Sequence, residues 1–214
     1  MSNIYYYDIE SAPLPEDKII FPEFKADSRI KDPAKIEADI AKKKAAFIDK
    51  AALSPNTGQI LAIGYQYGQD VTINEKGKSE AEMLEDFWIR FTDATCKLAC
   101  WNASGFDLPF IWGRCMILGV KVPIQARNGR YWGDRLIDLM EVYCGYQYKA
   151  MYSLDNACKQ IGVDVRIEKE IEGKDFYKYW NGSKEEHEKA RDYLKSDLKQ
   201  TQAIGEHMNM SYPL

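Results

Sequence analysis

The sequence predicts an α/β fold: a mixed β-sheet flanked by helices, with an insertion between the first two strands. Three observations carry this. Short runs rich in aromatic and β-branched residues recur at 4–9, 60–67, 71–74 and 97–101, each of strand length. The second and third runs are separated only by Gly68-Gln69-Asp70, a connection tight enough for a hairpin, whereas the later runs alternate with helical segments. Between the first and second runs lies a stretch, 11–58, that reads mostly as loop and helix. The chain of 214 residues is expected to form one domain, 1–214, carrying 11–58 as the insertion.

Each element has a local reason. Ile4-Tyr5-Tyr6-Tyr7-Asp8-Ile9 is apolar enough for a buried strand, and Ser11-Ala12-Pro13-Leu14-Pro15 is expected to stop it. Residues 16–32 show no periodicity. Asp32-Pro33 reads as an N-cap followed by proline in the first helical position. Ile36, Ile40, Phe47, Ile48 and Ala51 then fall on one side of a helix reaching about Leu53. Ser54 to Gly58 is a turn. Ser79 with Glu82 forms a capping box before a helix through Phe87, Trp88 and Phe91. After the fourth strand, 102–105 is a loop and 106–118 a helix. Residues 136–140 read equally as a strand or a helix start. Ser153 opens a short helix ending near Gly162, and 184–209 is a long charged amphipathic helix.

Composition bounds the function. Hydrophobic residues make up 45% of the chain and aromatic residues 13%, which excludes a disordered chain. The formal net charge is -4, so no whole-molecule basic field grips a polyanion, although a local basic groove beside acidic residues is compatible. No apolar run is long enough to span a membrane. Met1-Ser2-Asn3-Ile4 lacks the features of a signal peptide. Five cysteines, an odd number without a secretion signal, point to reduced thiols and a cytoplasmic setting. Cys96 and Cys100 form a C-x3-C pair with no second pair to complete a zinc site, and read as small buried hydrophobes. With only two histidines, His187 and His207, a His-based triad or multi-His site has few parts.

The candidate chemistry lies in carboxylates. Asp8 and Glu10 are alternate residues of a strand, so both side chains project from one face. Like charges that close are unfavourable unless a cation lies between them, and hard oxygen donors suit Mg²⁺ or Mn²⁺. A pair of solvated acids at a strand end is the plain alternative. In Asn102-Ala103-Ser104-Gly105-Phe106-Asp107-Leu108-Pro109, Asp107 stands near a helix start, where an ordinary N-cap is the simplest role. Tyr193 and Asp197, four residues apart on the last helix, share a face. Taken alone, that pair reads as a surface Asp beside a core-edge Tyr.

In combination these segments resemble the DEDD 3′-5′ exonucleases of the ribonuclease H-like superfamily. Asp-Ile-Glu-Ser at 8–11, Asn-x-x-Gly-Phe-Asp-Leu-Pro at 102–109 and Tyr-x3-Asp at 193–197 are similar to that family's three motifs, in order. Ile137-Asp138-Leu139-Met140, Ser153-Leu154-Asp155 with Gly162, and Thr201 add support. The resemblance spans nearly the whole chain outside about 12–55. It is nearest to stand-alone proteins similar to the proofreading exonuclease domain of family B DNA polymerases. It implies that Asp8, Glu10, Asp107 and Asp197 hold two divalent ions, Mg²⁺ or Mn²⁺. Asp8 would bridge them, Glu10 and Asp197 would complete one site, and Asp107 would serve the other directly or through water. Tyr193 would orient the attacking water, which places the chain in the tyrosine subclass. The histidine subclass carries its His five residues before the last Asp, where this chain has Asp192; His187 lies ten residues before Asp197 and is not expected to take the place of Tyr193. Ser11, where Thr is usual, and Leu194, where Cys is common, depart from the pattern without removing a ligand.

The implied reaction is hydrolysis from the 3′ end of a single strand, DNA ahead of RNA, releasing nucleoside 5′-monophosphates. The partner is nucleic acid, with a polymerase or repair complex in trans also compatible and no membrane partner expected. Two other readings stay open: a non-catalytic nucleic-acid-binding or scaffold protein on the same fold, and an endonuclease of the same superfamily acting on RNA–DNA hybrids. Asn102 and Phe106 are expected to hold the terminal nucleotide. Arg130 and Trp132 are expected substrate contacts within an aromatic and basic segment, 127–152; residues 114–151 carry six basic and three acidic side chains. Core aromatics with ordinary surface arginines are the plain alternative. Lys42, Lys43 and Lys44 could touch a duplex or form a solvated helix face.

Overall fold

A computed structural model describes residues 3–74, 77–126, 135–146, 152–163 and 170–211. At its centre is β1 (Asn3–Pro13), the middle strand of a five-stranded sheet ordered β3-β2-β1-β4-β5. β2 (Gly58–Tyr67) runs antiparallel to β1 and makes the expected hairpin with β3 (Asp70–Asn74). β4 (Cys96–Cys100) is parallel to β1, and β5 (Leu136–Asp138) is parallel to β4. The predicted mixed sheet flanked by helices is thus observed.

Alternation along β1 builds a core on each side. Tyr7 and Ile9 enter one layer with Leu84, Phe87 and Trp88 of α2 (Glu80–Thr92) and Phe110 and Ile111 of α3 (Leu108–Leu118). Tyr6 enters the opposite layer with residues of α4 (Leu139–Tyr143), α5 (Leu154–Gln160) and α7 (Lys184–Ser211). A third cluster joins α6 (Phe176–Trp180) to α7 over β2. α7 sits close to the sheet because position 64 is glycine: a Cβ there would stand 2.7 Å from Leu198 Cδ1. The capping box of Ser79 and Glu82 opens α2 as expected.

Several boundaries differ from expectation. β1 does not stop at residue 9 but continues to Pro13, because Ser11, Ala12 and Pro13 pair with the start of β2. Proline ends the strand, where its missing N–H is tolerated. The connection that follows contains α1 (Pro33–Asp49), capped by the Asp32 carboxylate, which accepts from the N–H groups of Ala34 and Lys35. α1 ends at Asp49 rather than near Leu53, and a separate 3-10 turn, Ala51–Leu53, follows. That turn, not α1, packs on the sheet: Ser11 Oγ donates to the Ala52 carbonyl at 2.7 Å and Thr57 Oγ1 to the Ala51 carbonyl at 2.8 Å. The expected apolar face of α1 buries no residue; its Phe47 meets Phe21 and Phe24 in the preceding loop at 5.8 and 5.7 Å. Lys43 and Lys44 are occupied within the insertion, with Asp39 and the Lys25 carbonyl and with Glu16. Residues 136–140 are both strand and helix, with Asp138 ending β5 and capping α4. Cys96 and Cys100 occupy opposite ends of β4, about 13 Å apart at the rise of a strand, so they share no ion.

One buried ion pair ties the insertion to the body. Arg114, only 4% exposed, donates to both Glu80 carboxylate oxygens at 2.8 and 2.7 Å and to the Pro55 carbonyl at 2.9 Å. Glu80 also accepts from the Ile60 N–H at 2.7 Å. Arg114→Ala strands the Glu80 charge and is expected to cost about 3–5 kcal/mol. Urea unfolding measures this; a loss below about 1 kcal/mol, the value of an exposed pair, contradicts it.

Candidate active site

Asp8 and Glu10 lie opposite Gly64 and Ala62 of β2, on the face that α7 covers. Immediately after Glu10 the register slips, β2 carrying one extra residue, a bulge of the kind that re-aims side chains beside active sites. α7 crosses this strand end and supplies Tyr193 and Asp197, one helical turn apart. Asp8, Glu10 and Asp197 each present a carboxylate oxygen, all within 4.8 Å of one another. The Tyr193 hydroxyl donates to Asp197. Burial first, then the charges of Asp197, Glu10 and Asp8, push the Tyr193 pKa well above its ordinary value, so it remains a phenol at neutral pH. Gly173 leaves room for that hydroxyl; a Cβ there would lie 2.9 Å from Tyr193 Oη.

Asp107 arrives by a different route. β4 ends at Cys100, Asn102 adopts a left-handed φ of 62°, and a single π-helical turn, Ala103–Asp107, leads into α3. The Asp138 carboxylate pins this turn, accepting from the N–H groups of Asn102 and Ser104 at 3.1 and 2.8 Å and from Met140 and Glu141 at 3.0 and 3.3 Å. Asp107 makes no side-chain cap to α3, so the simple capping role does not hold. Its side chain is 3% exposed and turns inward toward Cys100 and the backbone of Ile9. Burial raises its pKa to about 7; the nearby Cys100 thiol and backbone N–H groups pull it down while the Asp138 charge adds to the rise. Oδ1 has no hydrogen-bond partner among the described residues. Asp8, Cys100 and Asp107 form a second group of donors within 4.8 Å.

The arrangement fits a divalent cation. Three carboxylates in such proximity repel one another, and the orphaned Asp107 oxygen is a buried acceptor awaiting a partner. Asp8 belongs to both donor groups.

All five predicted catalytic positions, Asp8, Glu10, Asp107, Tyr193 and Asp197, line one open cleft of about 390 Å³. Asn102 and Phe106 line it too. Arg130 and Trp132, with most of the segment around them, lie outside the described residues. His187 packs against Trp180, its Nδ1 2.8 Å from the Trp180 carbonyl oxygen. Sequence reasoning did not single out Trp101, Ser153 and Asp155 as cleft-lining residues, nor Asp138, Cys100 and Gly173 as its supports. The Ser-Leu-Asp match at 153–155 was a signal for two of them. Gly173 offered none, since its role is space beside a residue twenty positions on.

Asp138→Ala leaves four N–H groups without their acceptor and is expected to destabilise the chain by about 2–3 kcal/mol, measurable by urea unfolding. A second expectation concerns pH. Protonated Asp107 stabilises the metal-free fold at low pH; that contribution is full only below about pH 4 and is lost progressively as pH rises to about 7. Asp107→Asn should therefore raise the melting temperature of metal-free protein strongly at pH about 8 and much less at pH about 5. Equal shifts at both pH values contradict this.

The chain is similar to the family B DNA polymerase from the hyperthermophilic archaeon Pyrobaculum calidifontis, with a TM-score of 0.64 and 17% sequence identity. The match covers 97% of this chain and 24% of that polymerase, so the chain spans about a quarter of its length. This likeness shows the fold, an α/β mixed sheet flanked by helices. No curated protein matches the chain. A family model matches residues 60–204, a stretch that includes Asp107, Tyr193 and Asp197 and begins after Asp8 and Glu10. The chain belongs to that family, described as predicted 3′-5′ exonucleases related to the exonuclease domain of PolB.

Proposed function

We propose that this protein is a metal-dependent 3′-5′ exonuclease of the DEDD tyrosine subclass. In this reading it acts as a single domain on the 3′ end of single-stranded DNA and releases nucleoside 5′-monophosphates. The observation that carries the reading is the sharing of Asp8 between two donor groups, one completed by Glu10 and Asp197 and the other containing Asp107. Two divalent ions, Mg²⁺ or Mn²⁺, held there would supply an activated water, charge neutralisation in the transition state and a stabilised leaving oxygen.

The chain's own residues then have definite tasks. Asp8, Glu10, Asp107 and Asp197 are the ligands. Tyr193, a neutral phenol hydrogen-bonded to Asp197, orients the attacking water more than it abstracts its proton. Asn102, on its left-handed bend, and Phe106, half-buried on the cleft wall, hold the terminal nucleotide. Arg130 and Trp132 are proposed contacts further along the strand. The protein would work in the cytoplasm, where its thiols stay reduced, alone or beside a polymerase or repair complex.

A 5′-labelled single-stranded DNA incubated with Mg²⁺ should shorten one nucleotide at a time from its 3′ end, faster than the matching RNA. Asp8→Ala and Asp197→Ala should abolish the ladder, and Tyr193→Phe should slow it by roughly 10²-fold while metal affinity stays near wild type. A circular single strand should survive. Internal cleavage of the circle, or full activity in Asp8→Ala, contradicts the proposal.

A further inference from the structure

We infer that Cys100 is a third donor, with Asp8 and Asp107, of a subsite that takes thiophilic divalent cations in preference to Mg²⁺. The inference uses two acids of the proposed exonuclease centre but concerns which ion that half of the centre accepts.

The geometry is specific to this cysteine. Cys100 Sγ and one oxygen each from Asp8 and Asp107 lie within 4.8 Å of one another. Donors held about 2.0–2.3 Å from one tetrahedral ion stand about 3.3–3.8 Å apart, so the three donors need to close by at most about 1.5 Å. The second observation is Asp107 itself: its Oδ1 is buried and unpartnered among the described residues, within the same donor group. Cys100 Sγ lies 3.5 Å from the Trp101 carbonyl oxygen, a bond that ligation would replace. Among the described residues no other cysteine joins a donor group: Cys96 donates to the Arg90 carbonyl at the far end of β4, Cys115 accepts from Trp88 Nε1 at 3.2 Å, and Cys158 lies 3.9 Å from the Gln200 carbonyl oxygen.

Ligand softness sets the consequence. The Asp8, Glu10 and Asp197 group offers only hard oxygens and suits Mg²⁺ or Mn²⁺. The Asp8, Cys100 and Asp107 group adds sulfur, which favours Zn²⁺, Cd²⁺ or Co²⁺. On binding, a sulfur–metal bond forms, the S–H bond breaks and its proton leaves to solvent. Mg²⁺ gains nothing from sulfur and would use the two acids alone. The halves of the centre therefore differ in metal preference, and a thiophilic ion would compete with Mg²⁺ at one of them.

Co²⁺ reports on this without reference to catalysis, because its d–d bands show binding and a thiolate-to-cobalt charge-transfer band shows sulfur ligation. Metal-free full-length wild type titrated with Co²⁺ should develop both. Cys100→Ser should lose the charge-transfer band and bind Co²⁺ about tenfold or more weakly, while its Mg²⁺ affinity stays unchanged. Asp107→Asn should weaken the band, and Cys144→Ser should retain it. Circular dichroism checks that each variant is folded, and the wild-type spectrum decides independently of any variant. A d–d spectrum without charge transfer overturns the inference and leaves an all-oxygen exonuclease centre intact. A charge-transfer band that persists in Cys100→Ser, or no Co²⁺ binding, also overturns it. Loss of Mg²⁺-dependent cleavage alongside an intact charge-transfer band would count against the exonuclease reading instead.

Discussion

Mutual repulsion among closely spaced carboxylates is the constraint on which the site depends. Asp8, Glu10 and Asp197 converge to within 4.8 Å of one another, and Asp107 is buried beside Asp8 with its pKa raised to about 7. A fold that only needed stability would not gather acids this way, since each unneutralised charge in a poorly hydrated cleft is unfavourable. The surrounding structure holds the acids in place despite that cost, which is the pattern expected where strain or charge has a functional purpose.

Three devices impose the convergence. The central position of β1 puts Asp8 and Glu10 where helices from either side of the sheet can reach them. The bulge after Glu10 and the glycine at 64 let α7 lie close enough to deliver Tyr193 and Asp197. The Asp138 carboxylate organises the turn from Asn102 to Asp107, so that a residue at the end of the neighbouring parallel strand comes back to Asp8. None of the three belongs to the acidic cluster itself. Their effect is geometric, and a small displacement in any of them would pull the clustered acids apart.

Much of this was legible in the sequence because it is periodic or local. The aromatic run before Asp8, the hairpin at Gly68, the capping box at Ser79 and the i, i+4 pair at Tyr193 and Asp197 each carry their own signal. Residues that act across the sheet left weaker traces. Asp138 reads locally as a cap, and only the fold shows its bonds to Asn102 and Ser104. Gly173 matters through an empty volume, which no pattern encodes. The apolar stripe of α1 predicted burial against the body; instead its Phe47 packs on the insertion's own loop, because only the short 3-10 turn after it reaches the sheet. Pro13 in the sequence argues for an early end to β1, but a proline at the last residue of a strand is compatible with pairing.

The central claim is that two sets of donors hinge on Asp8. Counting Mn²⁺ bound per chain by electron paramagnetic resonance addresses it directly. The account predicts two ions in the wild type, magnetically coupled through the shared carboxylate, and loss of that coupling in Asp8→Asn. One uncoupled ion in the wild type, or an unchanged coupled pair in Asp8→Asn, would contradict it.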